Sequence, residues 1–154
     1  MKKNLIILFL LIIFPFKAFA LIEVDITRGN LNPLPLAVSP LSIDDKSKTS
    51  FEKILKKENI GSEISIIVEN NLRTSGLFNP LSKDAFLQAP DIANLKPRFE
   101  DWNLIKAQAL ITGKVTYVNE KLRVEFRLWD ILAAKEMMAL AFTTVPSNWR
   151  RVGH

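Results

Sequence analysis

The chain has no cysteine and one histidine, His154, at its very end. Without cysteine there is no disulfide, no thiol nucleophile and no iron–sulfur ligand. A lone histidine cannot assemble a zinc cluster, and no thiolate is there to help it. Glycine is scarce as well. Its five copies stand apart at 29, 61, 76, 113 and 153, in neither G-x-G-x-x-G nor G-x-S-x-G spacing, which excludes those dinucleotide and nucleophile-elbow motifs. Carboxylates remain, as the adjacent pairs Asp44-Asp45 and Glu100-Asp101. A hydrolytic pair must face one cleft about 5–10 Å apart. Adjacent residues instead point to opposite faces of a strand, or lie roughly 100° apart on a helix. Asp101 reads better as a helix cap. The residues predict no catalysis, no metal and no cofactor.

Long apolar runs are missing too, with one exception. Leu5 to Phe14 is unbroken, preceded by Lys2 and Lys3 and ended by Pro15, with Ala18-Phe19-Ala20 behind it. That is the three-part pattern of a secretory signal. The run is half the roughly 20 residues that a spanning helix needs, so cleavage after Ala20 is expected rather than a retained anchor. Residues 1–20 read as signal peptide and 21–154 as one domain. With Lys2, Lys3 and Lys17 removed, eighteen basic residues face sixteen acidic ones, and the formal charge falls from +5 to +2. Such a small charge does not suggest nucleic acid or an acidic membrane as partner. No direct membrane insertion is expected. Export without cysteine fits a bacterial periplasm best.

Within the mature segment, Ile22, Val24 and Ile26 alternate with Glu23, Asp25 and Thr27, the period of a strand. Gly29 to Pro33 reads as a turn and Leu36-Ala37-Val38 as a short buried strand. Asp44 to Asn59 is polar and Lys-rich. It reads as a surface excursion with a small helix, capped by Thr49 and Glu52 and lined by Phe51, Ile54 and Leu55. Ile60, Ile64, Ile67, Val68 and Leu72 recur at helical spacing, with Ser62 as cap and Gly76 just past the end. Leu77 to Gln88 reads as loop or edge segment with a helical turn near 83–87, and Ala89 to Pro97 as loop. Asp101 would start a second short helix, Trp102 to Ala107. Ala109–Val118, then Leu122 to Leu128 in strict alternation, then Glu136–Val145 form an antiparallel meander. Pro146-Ser147-Asn148 looks like a helix start with Ser147 as cap. Only Trp149 to Val152 follow before the end, and one turn is not stable alone; a longer polypeptide or a truncated gene is expected. The sum is an α/β (α+β) domain: a small mixed sheet with two helices packed on it, ending in the meander.

Three tryptophans stand at 102, 129 and 149. Trp and Arg dominate binding hot spots, but Trp102 and Trp149 read as anchors of short helices. Trp129 has the outward parity of Arg123, Glu125 and Arg127, so it needs either a covering element or a partner. Arg150-Arg151 reads as a solvated helix face.

Several segments together resemble the TolB N-terminal domain. They are Pro97-Arg98-Phe99-Glu100-Asp101-Trp102, Ala107 to Gly113, Leu122 to Asp130, Phe142-Thr143-Thr144, and Pro146 to Arg151. Ile26 to Pro40 and Leu72 to Phe78 fit as well, so the resemblance runs in order along nearly all of the mature chain. It implies a periplasmic protein-interaction component of a Tol–Pal trans-envelope complex, which maintains outer-membrane integrity and assists constriction at division. It implies helices on a mixed sheet, and TolA bound through the mature N-terminus: Leu21, Ile22, Glu23, Val24, Asp25, Ile26 and Thr27. Pal binding belongs to a C-terminal propeller domain absent from this sequence, so Pal is a partner only where that domain is present. The Lys-rich stretch from Asp44 to Asn59 matches the family poorly. The alternative is a stand-alone periplasmic binding module for a small ligand or peptidoglycan. Reading the DNA downstream of His154 for an open frame of blade-like strands separates the two.

Overall fold

The computed structural model describes residues 32–154. The signal region, the strand expected over Ile22–Ile26 and most of the Gly29–Pro33 turn lie outside them. The order of elements is β1 (Leu34–Val38), β2 (Ser42–Ile43), α1 (Asp45–Leu55), α2 (Ile60–Thr74), β3 (Phe78–Pro80), a 3-10 turn (Lys83–Ala85), α3 (Pro90–Leu95), α4 (Phe99–Leu104), β4 (Ala109–Val118), β5 (Lys121–Asp130), β6 (Lys135–Thr144), a second 3-10 turn (Pro146–Asn148) and α5 (Trp149–Val152).

The meander forms because β4 and β5 carry β-branched and aromatic side chains in alternation, and their ten residues pair in one register from Ala109↔Asp130 to Val118↔Lys121. Asn119 and Glu120 both take positive φ, 50° and 60°, the two-residue hairpin geometry whose twist suits the strands. Between β5 and β6 the Asp130 carboxylate accepts a hydrogen bond from Ala133 N at 2.8 Å and closes the second turn. On the other side of β4 the chain runs parallel. β1 pairs over Leu36↔Ala109 to Val38↔Ile111 and β2 over Ser42↔Lys114 and Ile43↔Val115. Pro40 between them has no N–H to give, so the ladder breaks there, and Leu41 N turns to Gly61 O. β3 adds parallel to β1, giving the mixed order β3-β1-β4-β5-β6 with β2 against β4.

Each face of the sheet has its own core. One face presents Val115, Tyr117, Leu122, Val124 and Phe126 to α1, α2 and α5, whose Phe51, Ile60, Ile64 and Trp149 are buried against them. Leu36, Val38 and Ala109 continue it under Val68 and Leu72. The stripe expected on α2 is therefore the one that packs, and Gly76 follows that helix at φ 73°. Burying each such aliphatic side chain stabilises by about 1.5–3 kcal/mol. The opposite face holds a separate cluster. There Ala37, Leu110, Trp129 and Ile131 meet Trp102 and Ala107, with Leu81, Phe86, Phe99 and Ile105 around them.

Helix starts are where local reading and structure part. α1 begins at Asp45, capped by Asp44, which accepts from Ser47 N at 3.0 Å. Thr49 is already inside the helix, its hydroxyl donating to Asp45 O. Ser62 lies inside α2, which starts at Ile60 behind Asn59 with no side-chain cap. Asp101 lies inside α4, paired to Arg98 at 2.6 Å rather than capping. Ser147 sits in the 3-10 turn ahead of α5, whose cap position is Asn148. Ala89 to Pro97, expected as loop, contains α3, started by Pro90 at its first turn, where a missing N–H costs nothing.

Candidate interaction surfaces

All three tryptophans are committed to the interior. Trp102 Nε1 donates to Gln88 Oε1 at 2.6 Å, and its ring meets Phe86 edge-on at 4.9 Å. Trp129, on the outward parity of β5, donates from Nε1 to Thr112 Oγ1 at 2.8 Å and lies under Phe99 of α4. A covering element, not a partner, answers its need. Two cations lie over the Trp149 ring, Lys57 at 5.2 Å and Arg150 at 4.8 Å from its centroid. None of the three is a free hot spot. Arg150 and Arg151 are both exposed.

Around Trp129 the same face of β5 is charged and wet. Arg123 pairs with Glu125 at 2.9 Å and Arg127 with Glu136 at 3.7 Å. Pairs this exposed contribute between zero and about 1 kcal/mol. The titration of Asp44 is displaced downward. The Ser47 backbone N–H holds its carboxyl below the usual carboxylate value, aided by the Ser47 hydroxyl and Lys114 and opposed by burial. Its role is positional: Ser47 Oγ also accepts from Tyr117 N at 2.8 Å, which fastens the start of α1 to β4.

Among the described residues, no group of three or more His, Asp or Glu side chains is placed to hold a metal. No helix there is long and apolar enough to cross a membrane. A polar depression of about 350 Å³ lies between β2 and the start of α2, with Lys48, Glu58, Ser62 and Asp91 on its walls. It contains neither histidine nor cysteine, so no triad or transition-metal site is built there. The second depression is apolar. About 310 Å³ in volume, it lies on the helical face of β5 and β6, over Phe126, Leu128, Met138, Leu140 and Phe142. Sequence reasoning missed it, because alternating apolar residues in a strand predict a covered face. Leu21, Ile22, Glu23, Val24, Asp25, Ile26 and Thr27, expected to carry the partner contact, fall outside the described residues.

This sheet and these helices can be set beside known proteins. A family model for the TolB amino-terminal domain matches residues 22–137, well over half of the chain. The chain belongs to the TolB amino-terminal domain family. The Tol-Pal system protein TolB of Pelagibacter ubique (strain HTCC1062) is 83% identical over 152 residues, which cover 99% of this chain and 34% of that protein. The chain thus spans about a third of the length of its curated TolB relative. Among solved structures, TolB from Acinetobacter baumannii superposes with a TM-score of 0.60 at 20% identity, covering 79% of this chain and 26% of that one. The LpoB C-terminal domain from Salmonella enterica gives 0.50 at 11% identity, over 76% and 86%. At such identities the likeness is one of fold, and it places helices on a mixed sheet in the TolB amino-terminal domain as in this chain.

Proposed function

We propose that the chain is the amino-terminal domain of an exported, periplasmic Tol–Pal component, acting by protein interaction and not by catalysis. The observation that carries this is the 83% identity to a Tol-Pal system protein TolB along 99% of the chain. In this reading residues 1–20 direct export, Leu21–Thr27 contact TolA, and the globular domain positions that segment. The complex it joins maintains outer-membrane integrity and assists envelope constriction at division. Pal is engaged where a propeller domain follows in the longer protein. The absence of a nucleophile–base set in the sequence, which has only His154 for an imidazole, agrees with a role in binding.

The compartment is tested by fractionating cells and sequencing the N-terminus of the recovered protein. Expected is a periplasmic species beginning at Leu21, co-isolated with TolA after mild cross-linking. A chain that still starts at Met1, or one found only in the cytoplasm, would refute the periplasmic reading.

A further inference from the structure

β2 pairs with one neighbour among the described residues, β4, and its other edge is open. Leu41 N turns away from the ladder to Gly61 O, while Ser42 is paired to Lys114 of β4. Main-chain groups alternate sides along a strand, so the N–H and C=O of Ile43 face away from β4, as those of Leu41 do. Unpaired edge groups of this kind are a template for an added strand.

Two depressions lie along this edge. The polar one of about 350 Å³ and a smaller one of about 230 Å³ share Ser42, Ile43 and Asp91. They form one trough, with β2 as its floor and α3 as a wall. The charges on its walls do not balance. Asp44, Glu58 and Asp91 line it with Lys48 and Lys114, three carboxylates against two ammonium groups. Lys114 lies 3.9 Å from Asp44. Lys57, next in sequence to Glu58, is held by Glu63 at 2.7 Å. Among the described residues the trough therefore carries one carboxylate in excess. Its smaller end also leaves an apolar side chain in water, since Leu95 is 79% exposed.

Asp91 and Leu95 stand four residues apart in α3. They share one face of that helix and are about 6 Å apart along its axis. Residues i and i+2 of a strand point to one side and are about 6.6 Å apart, so the two spacings match. We propose that the trough binds an extended segment of another protein, whose main chain adds to β2 at Ile43. A basic side chain of that segment lies against Asp91, and an aliphatic one, two residues away, against Leu95. Main-chain hydrogen bonds give such a site its affinity, and the alternate side chains give it selectivity. Residues 21–27 have no part in it.

The probe is a short peptide, acetylated and amidated at its ends, of alternating valine and threonine with arginine and leucine placed two residues apart at its centre. It is titrated into the mature full-length protein and followed by calorimetry and amide hydrogen exchange. Expected is saturable binding at or below about millimolar peptide, with exchange of the Ile43 amide slowed at least roughly tenfold. Asp91→Lys should weaken binding at least roughly fivefold, and a peptide with glutamate in place of the arginine should recover that loss on the variant. Asp91 is exposed, so the variant should fold, which circular dichroism checks. The absence of saturable binding, equal binding of the arginine and glutamate peptides by the parent, or an Ile43 amide that exchanges no more slowly with peptide each overturns the proposal. So does protection of Ile43 that is present without peptide and fades on dilution, which would give the edge to a second copy of the chain. Deleting Leu21 to Thr27 should leave peptide binding unchanged, so this site and the TolA contact can fail separately.

Discussion

Trp102→Ala is expected to lower folding stability by about 3–5 kcal/mol, a large part of the roughly 5–15 kcal/mol that holds a domain of this size. Trp102 is 1% exposed. Its ring links α4 to the sheet through Ala37, Leu110, Trp129 and Ile131, and Phe86 stands edge-on to it. Alanine leaves a void lined by the side chains of this cluster, and the surrounding structure relaxes only partly. Trp102 also holds the loop before α4. Its Nε1 and Arg98 N both donate to Gln88 Oε1, at 2.6 and 2.9 Å. Trp102→Phe keeps most of the volume and loses that hydrogen bond, so its cost should be nearer 1–3 kcal/mol, the order expected for a buried acceptor losing one donor. Urea unfolding of both variants, with an unchanged slope, is the measurement. A Trp102→Ala shift below about 1 kcal/mol, the typical surface-to-average range, would show that this cluster is not a core.

Gly113→Ala is expected to be nearly as damaging although it adds a single methyl group. Gly113 sits in the middle of β4, opposite Phe126 of β5. A Cβ built there runs into the Glu125 carbonyl oxygen and comes within 2.8 Å of Leu41 Cδ2. Leu41 can rotate, but the carbonyl belongs to the backbone of the partner strand, so relief requires the β4–β5 ladder to shift. Overpacking typically costs about 1–3 kcal/mol, and an obstacle made of backbone places this change at the upper end. The thermal midpoint should fall by several degrees. A midpoint within about 1 °C of the parent, well below what 1 kcal/mol produces in a domain this size, would mean that the strands approach less closely than described.

The meander was legible because its signals are local and redundant. β4 occupies Ala109–Val118, as its run of apolar and β-branched residues predicts, and Leu122, Val124, Phe126 and Leu128 all face the helices. The stripe on α2 was legible for the same reason. Helix starts were not, because several side chains compete for each one. Thr49 and Glu52 have capping-box spacing, yet the helix starts earlier, where Asp44 caps it and takes the Ser47 amide, and Thr49 lies four residues past the first helical residue. α3 escaped because the six residues Pro90–Leu95 carry too short a period to register. The need to cover Trp129 could be read from its parity, but not that Phe99 would supply the cover. That is a contact between segments thirty residues apart in sequence, and no local pattern encodes it. The open face of β6 was invisible for the converse reason. Met138, Leu140 and Phe142 alternate as a buried strand should, and only the arrangement of the helices shows what lies over them.

Titrating TolA into the mature full-length protein, with and without Leu21 to Thr27, tests the proposed interaction most directly. An extended segment offers alternate apolar side chains, here Ile22, Val24 and Ile26, and free backbone groups for strand addition. A terminal segment can also detach at little cost to the domain. Expected is saturable binding by the intact protein and a loss of at least roughly hundredfold on deletion, about 2.8 kcal/mol, with the thermal midpoint little changed. If the three aliphatic side chains serve the domain's own core instead, each would contribute about 1.5–3 kcal/mol and the midpoint would drop by several degrees. TolA affinity that is unchanged after the deletion would contradict the assignment of Leu21–Thr27 as the partner contact.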